Sequence, residues 1–134
     1  MDFPRAVETG KAPGAVGPYS QALSVGSLIF TSGQLPIEAT TKAMPEGIKE
    51  QTAISLTNVK NILEAAGSGL DRVVKTTVYL ANIEDFAAMN EIYASFFQKP
   101  FPARSCFAVK ALPLGAKVEI EAIAAPRAGT SPRF

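Results

Sequence analysis

Residues 117–125, KVEIEAIAA, decide the predicted fold because every second residue is apolar, as in a half-buried β-strand. The even-numbered positions, all apolar, point to one side of an extended chain, and the odd-numbered positions, two of them glutamates, point to the other. One face of the sheet is therefore apolar and the opposite face mixed. Alternation alone favours solvent around Glu119 and Glu121. The alternative is a second subunit that covers this face, since the chain carries few charges.

Five further segments have the residue pattern of β-strands. Two of them flank Gly26-Ser27 and predict a hairpin, and another is dense in β-branched residues. The five are Arg5–Glu8, Ser20–Val25, Leu28–Ser32, Val73–Leu80 and Ala103–Val109.

Two segments carry apolar residues at helical spacing. One runs from Ile48 to Ala66, with Gly67 as its predicted C-cap, and the other runs from Phe86 to Phe97 after an Asn82 N-cap. The predicted order is β-β-β-α-β-α-β-β. The crossover from the early hairpin to residues 73–80 implies a parallel pair of strands. Two helices can cover only one face, so the fold class is α+β.

Composition bounds both the architecture and the chemistry. The length of 134 residues suits one domain, expected over 1–126, and the Gly- and Pro-containing residues 127–134 predict a disordered tail. The chain has no His and one Cys, which excludes His-dependent catalysis, a His metal ligand and an internal disulfide.

The net charge and the N-terminal segment limit which cellular locations and partners are expected for the protein. A net charge of +1 argues against a dedicated nucleic-acid surface. The uncharged residues 12–37 contain too many Gly and Pro residues for a membrane span, and the charged N-terminus does not resemble a signal peptide. We therefore expect a cytoplasmic protein, with an organellar location left open.

Arg104 and Cys106 are the candidates on the fifth strand, where they share one face. A guanidinium fixed at a strand end after Pro102 can bind a carboxylate through two hydrogen bonds. An ion pair with a nearby glutamate is the commoner use of such an arginine. Cys106 has no His to activate it, so a small apolar role is favoured over a nucleophilic one.

Three other candidates have ordinary structural alternatives. Ser32 and Gly33, at the end of a strand, could present backbone N–H groups to an anion or could form a simple turn. Tyr19, after Gly17-Pro18, could close over a ligand or fill the core. Asn90, next to Met89 on the second helix, could face solvent or reach a site at the sheet edge.

Together these residues resemble the reactive intermediate deaminase family (YjgF-type), in its RidA subgroup, from about Arg5 to Pro126. Six blocks occur in the family's order and spacing. They are GPYSQA at 17–22, FTSGQ at 30–34, VKTTV at 74–78, NEIY at 90–93, PARSC at 102–106 and VEIEA at 118–122.

The resemblance implies a chorismate-mutase-like mixed sheet with two helices on one face, assembled as a homotrimeric barrel. It also implies active sites between subunits that hydrolyse short 2-imino acids to 2-keto acids and ammonia, without metal or cofactor. These imines arise from the enamines that serine and threonine dehydratases release. Carried over by position, Arg104 would bind the substrate carboxylate and Glu119 would hold the attacking water. Tyr19, Ser32, Gly33, Asn90 and Cys106 would line the pocket.

Two other functions compete with this interpretation. A binding module could use the same cleft to sense a 2-keto acid without turnover, because a fold and a binding group do not establish catalysis. An RNA-directed activity, such as endoribonuclease activity or translational inhibition, is the third candidate and is disfavoured by the charge of +1.

Overall fold

A computed structural model describes residues 3–127, which form one six-stranded sheet and two α-helices. This confirms the predicted α+β class and the predicted order of elements. The strands are β1 (Arg5–Val7), β2 (Ala22–Val25), β3 (Leu28–Thr31), β4 (Val73–Leu80), β5 (Ala103–Ala108) and β6 (Val118–Ala124); the helices are α1 (Ile48–Ala65) and α2 (Phe86–Phe96).

The strand order in the sheet is β1-β2-β3-β6-β4-β5. Every neighbouring pair is antiparallel except β4 and β5, which are parallel and are joined by α2. The parallel pair was predicted from the crossover that leads out of the early hairpin. A parallel pairing somewhere in the sheet is therefore confirmed, but β3 and β4 do not form it, because β6 inserts between them. The parallel pair belongs to the second crossover, through α2.

Both helices pack on the same face of the sheet. Leu56 and Ile62 of α1 are completely buried, as are Val78 of β4 and Ile120 of β6, and all four belong to one apolar cluster. Burying each such side chain contributes about 1.5–3 kcal/mol. The alternation in β6 therefore has the predicted consequence: its even-numbered residues fill the core beneath the helices.

The ends of the helices follow from their local sequence. After α1, Gly67 has a positive φ of 80°, a conformation that suits a residue without Cβ, and its N–H donates to Glu64 O at 3.1 Å. Asn82 caps a short 3₁₀ turn by accepting from Glu84 N at 2.9 Å. The α-helix itself begins one turn later than the predicted cap, at Phe86.

The other face of the sheet has no helix on it, and we call it the open face. Leu23, Phe30 and Phe107 are 41%, 39% and 53% exposed there. Strand register aligns these residues with polar ones from the central strands. The open face comprises Leu23, Val25, Leu28, Phe30, Lys75, Thr77, Tyr79, Ala103, Ser105, Phe107, Glu119, Glu121 and Ile123.

The predicted C-terminal tail lies outside the described residues from 128 onward. Arg127, its first residue, donates from its backbone to Gly67 O at 3.1 Å and pairs with Asp71 at 2.7 Å. Neither α1 nor α2 is long and apolar enough to cross a membrane, and residues 3–127 contain no other α-helix.

Candidate functional site

Arg104 lies near the start of β5 and turns toward α2. Its Nη1 donates to Asn90 Oδ1 at 2.6 Å, and its guanidinium carbon lies 4.7 Å from the ring centre of Tyr93 and 5.5 Å from that of Phe86. Among residues 3–127, no carboxylate forms an ion pair with Arg104. The glutamate partner that the sequence favoured is therefore absent from the described chain. We call Phe86, Asn90, Tyr93 and Arg104 the arginine cluster.

The helix supplies three members of this cluster from one face. Phe86, Asn90 and Tyr93 are four and three residues apart, the spacing that brings side chains together along a helix. Asn90 is half-buried and bonded, rather than facing solvent. In the sequence, Phe86 and Tyr93 stand out only as part of the apolar pattern of the second helix. The signal that could have found them was their spacing around Asn90.

Cys106 shares the face of Arg104, as predicted, and packs partly buried against the core. Burial raises the pKa of its thiol, an effect that the nearby Arg104 charge opposes. The thiol therefore stays protonated near neutral pH, where it is a poor nucleophile. This agrees with the apolar role that the sequence favoured.

Glu119 lies on the open face, against Gly33. A Cβ on Gly33 would collide with the Glu119 carboxylate, so the absence of a side chain lets the two residues meet. A bridge between Gln34 and Ile120 fixes this approach, with Gln34 N donating to Ile120 O at 2.7 Å and Ile120 N to Gln34 O at 3.2 Å. Sequence position gave no sign of this contact, because the bridge joins distant segments.

Ser32 and Tyr19 hold the loops beside Gly33. The Ser32 N–H donates to Gln21 O at 2.9 Å and its hydroxyl to Ser20 O at 2.6 Å, so both donors are already engaged. The predicted pair of free N–H groups is thus reduced to one: within residues 3–127, nothing accepts from the Gly33 N–H. Tyr19 is 49% exposed, which rules out the core-filling alternative.

The Glu119 carboxyl has an unusual electrostatic environment. Burial raises its pKa, and the nearby charge of Glu121 raises it further. Tyr79 is opposite Glu119 across β4 and β6, and both carboxylates of the open face, Glu119 and Glu121, contribute to raising its pKa. Burial raises the Tyr79 pKa above its ordinary value, so the phenol stays neutral and serves as a donor. We call Gly33, Tyr79, Glu119 and Glu121 the glutamate cluster.

The two clusters lie on opposite faces of the sheet. Arg104 is aligned with Thr76 and, through it, with Ala122, whose even position faces the helices. Glu119 is three residues away along β6 and faces the other side. The structure thus brings together Arg104, Asn90 and Cys106, and separately Glu119 and Gly33. Within one protomer the two groups do not meet.

A cavity of about 430 Å³ opens beside Gly33. Tyr19 and Gly33 both line it, together with apolar residues such as Leu35 and Leu114 and one cation, Lys42. Its walls place two of the predicted ligand-contacting residues around one space. Within residues 3–127, no three His, Cys, Asp or Glu side chains come together as metal ligands.

The sequence also matches a known family model. Residues 9–126 match the model described as Endoribonuclease L-PSP. The chain belongs to this family. The match covers all six sequence blocks and confirms the resemblance to YjgF-type proteins.

Individual relatives are similar over nearly their whole length. The RutC family protein y4sK of Sinorhizobium fredii is 54% identical over 87% of this chain and 94% of its own. A goat (Capra hircus) protein named 2-iminobutanoate/2-iminopropanoate deaminase is 50% identical over 90% of this chain and 88% of its own. The crystal structure of Escherichia coli TdcF with bound serine has a TM-score of 0.89 at 44% identity, and the alignment covers 92% of this chain and 99% of that one.

Proposed function

We propose that this protein hydrolyses short 2-imino acids to 2-keto acids and ammonia. The observation that carries the proposal is the Arg104 guanidinium, which is oriented by a neutral amide and two rings and has no carboxylate partner within residues 3–127. A fixed guanidinium of this kind suits a small carboxylate ligand. The names of relatives at 46–50% identity, such as the goat and Salmonella deaminases, support the same substrate class.

Substrate binding follows from the donors that the chain leaves available. Arg104 donates to the substrate carboxylate, while its Nη1 donates to Asn90. The Gly33 N–H, Tyr19, Ser32 and Cys106 complete the pocket, the cysteine as part of its apolar wall. Because no thiolate takes part, a covalent enzyme intermediate is not needed.

Hydrolysis needs a proton acceptor for water and a proton donor for the departing nitrogen. Glu119 accepts a proton as the water oxygen bonds to the iminium carbon, which gives a tetrahedral amino alcohol. It then returns the proton to the nitrogen. As the carbon–nitrogen bond breaks, the carbinol hydroxyl gives its proton to the Glu119 carboxylate, which leaves the keto acid and ammonia, and this last proton departs with the ammonia as ammonium. A carboxyl whose pKa is raised by burial and by Glu121 is better suited to both transfers than an ordinary one.

The two clusters must come from different copies of the chain to act on one substrate. They occupy opposite faces of one sheet, and the exposed Leu23, Phe30 and Phe107 give the open face the apolar character of a buried interface. We therefore include in the proposal a homotrimer in which the open faces line a central barrel. Each active site then combines Arg104 of one subunit with Glu119 of its neighbour.

The test uses 2-aminoacrylate produced in the assay by a pyridoxal-phosphate-dependent serine dehydratase. Arg104→Ala should lower the acceleration of ammonia release about 30-fold or more, because truncating one side of a desolvated charge pair costs about 2–5 kcal/mol. Arg72→Ala, which removes an exposed arginine outside both clusters, is the matched control and should match the wild type.

Equal ammonia release from wild type and Arg104→Ala would refute the proposal. If the protein instead binds pyruvate but accelerates nothing, the non-catalytic sensing module is the correct description. Sedimentation as a single chain would refute the shared site.

A further inference from the structure

Tyr93 connects the arginine cluster to the sheet beneath it. Its hydroxyl lies 2.7 Å from Thr76 Oγ1, and both residues are buried. Thr76 is also the direct neighbour of Arg104 across the parallel pair β4–β5. One side chain from α2 therefore contacts two adjacent strands, through its hydroxyl on β4 and through its ring face on β5.

The ring of Tyr93 has little freedom to move. The ring of Phe97 packs against it, with the two centres 4.7 Å apart, and the Thr76 hydroxyl fixes its far end. Burial raises the pKa of the Tyr93 phenol, so it stays neutral and its ring presents a negative π face to Arg104. A cation over such a face is attracted to it, and more strongly where water is excluded.

Arg104 by itself would be a flexible binding group. An arginine side chain has many rotamers, and ordering it at the moment of binding weakens affinity. Asn90 holds one nitrogen, and the Tyr93 ring restrains the group from one side, with the guanidinium carbon 4.7 Å from the ring centre. These contacts leave the remaining guanidinium N–H groups available for a carboxylate.

We propose that Tyr93 is a positioning residue, which orients Arg104 for carboxylate binding and is itself fixed by Thr76. This inference rests on the proposed function, because it assigns Tyr93 to the same binding step. Tyr93 acts through Arg104 and does not touch the substrate.

The experiment measures the Kd of pyruvate by NMR titration and the KM and kcat for imine hydrolysis. Tyr93→Leu, which removes the ring, should raise Kd and KM together by about tenfold while kcat changes less than about threefold. Tyr93→Phe keeps the ring and loses only the Thr76 contact, so it should stay within about threefold of the wild type. Phe96→Leu, at a half-buried ring of α2 that packs against the core, is the control for lost packing and should leave the Kd within about twofold.

A double-mutant cycle separates positioning from packing. In an Arg104→Lys background there is no planar guanidinium for the Tyr93 ring to orient. Adding Tyr93→Leu should therefore change the Kd much less than it does in the wild type. An equal change in Kd in both backgrounds, or a Tyr93→Leu effect no larger than that of Phe96→Leu, would overturn the inference. If Arg104→Lys itself leaves pyruvate binding unchanged, the carboxylate-binding role of Arg104 fails instead.

Discussion

The two faces of the sheet are built differently around the groups that matter. On the helix-covered face, Arg104 is held by an amide and two rings from α2. On the open face, Glu119 is half-buried against Gly33 and near a second carboxylate, with exposed apolar residues around it. The contacts that hold Arg104 come from its own protomer, whereas exposed apolar surface remains beside Glu119.

In the shared site that we propose, this difference would keep opposite charges apart within each protomer. Had Arg104 and Glu119 met inside a protomer, they would have formed an ion pair, and both would be occupied before substrate arrived. The sheet separates them. A shared site between subunits then lets the substrate carboxylate and the attacking water use them independently.

The largest effect is expected from mixing two inactive variants. Arg104→Ala and Glu119→Gln should each be inactive, whereas unfolding and refolding them together at equal ratio should restore about one quarter of wild-type activity, the share of subunit junctions with both residues intact. The measurement is ammonia release per subunit. No recovery in mixed oligomers, verified by mass spectrometry, would show that both groups act within one protomer.

A smaller effect is expected at Gly33. Gly33→Ala would push the Glu119 carboxylate aside, and we expect activity to fall about 10- to 100-fold, since misplacing a catalytic group by about 1 Å has this effect. Pyruvate binding through Arg104 should change far less. Gly10→Ala, whose added Cβ meets nothing within 4 Å, is the control. Unchanged turnover in Gly33→Ala would remove Glu119 from the mechanism.

The smallest effect is expected from the second carboxylate of the open face. Glu119 must be ionised to accept a proton, and its raised pKa places the acid limb of the kcat/KM profile at higher pH than an ordinary glutamate would. Glu121→Gln removes one cause of that rise, so the limb should move to lower pH. Glu46→Gln, at an exposed site outside both clusters, should leave it in place. An unmoved limb in Glu121→Gln would exclude the coupling.

Local patterns in the sequence predicted most of the fold. The spacing of apolar residues gave both helices to within one or two residues of their ends, and alternation in β6 gave the face that the helices cover. The position of β6 between β3 and β4 was not predictable in this way. It depends on pairing between segments far apart in the chain, and no local pattern encodes the register of such a pair.

The candidate site, like the fold, was predictable from the sequence only where local spacing along the chain decides it. Arg104 and Cys106 share a face because alternate residues of a strand point to the same side, which the sequence shows. That Asn90 lies beside Arg104 depends on how α2 packs against the sheet, which the sequence does not show. The contact of Gly33 with Glu119 depends on the Gln34–Ile120 bridge, which joins distant segments. The separation of Arg104 from Glu119 likewise required the sheet order, which the sequence does not state.

The parallel β4–α2–β5 unit has a consequence for how the protein folds. It contains Thr76, Phe86, Asn90, Tyr93 and Arg104 in one continuous segment, so closing it involves only modest loops. Glu119 and Gly33 meet only after a much longer stretch of chain has closed. Contacts close in sequence form faster than distant ones. We therefore expect the anion-binding half to reach its native arrangement first, and the water-activating half to be the later and more easily lost of the two.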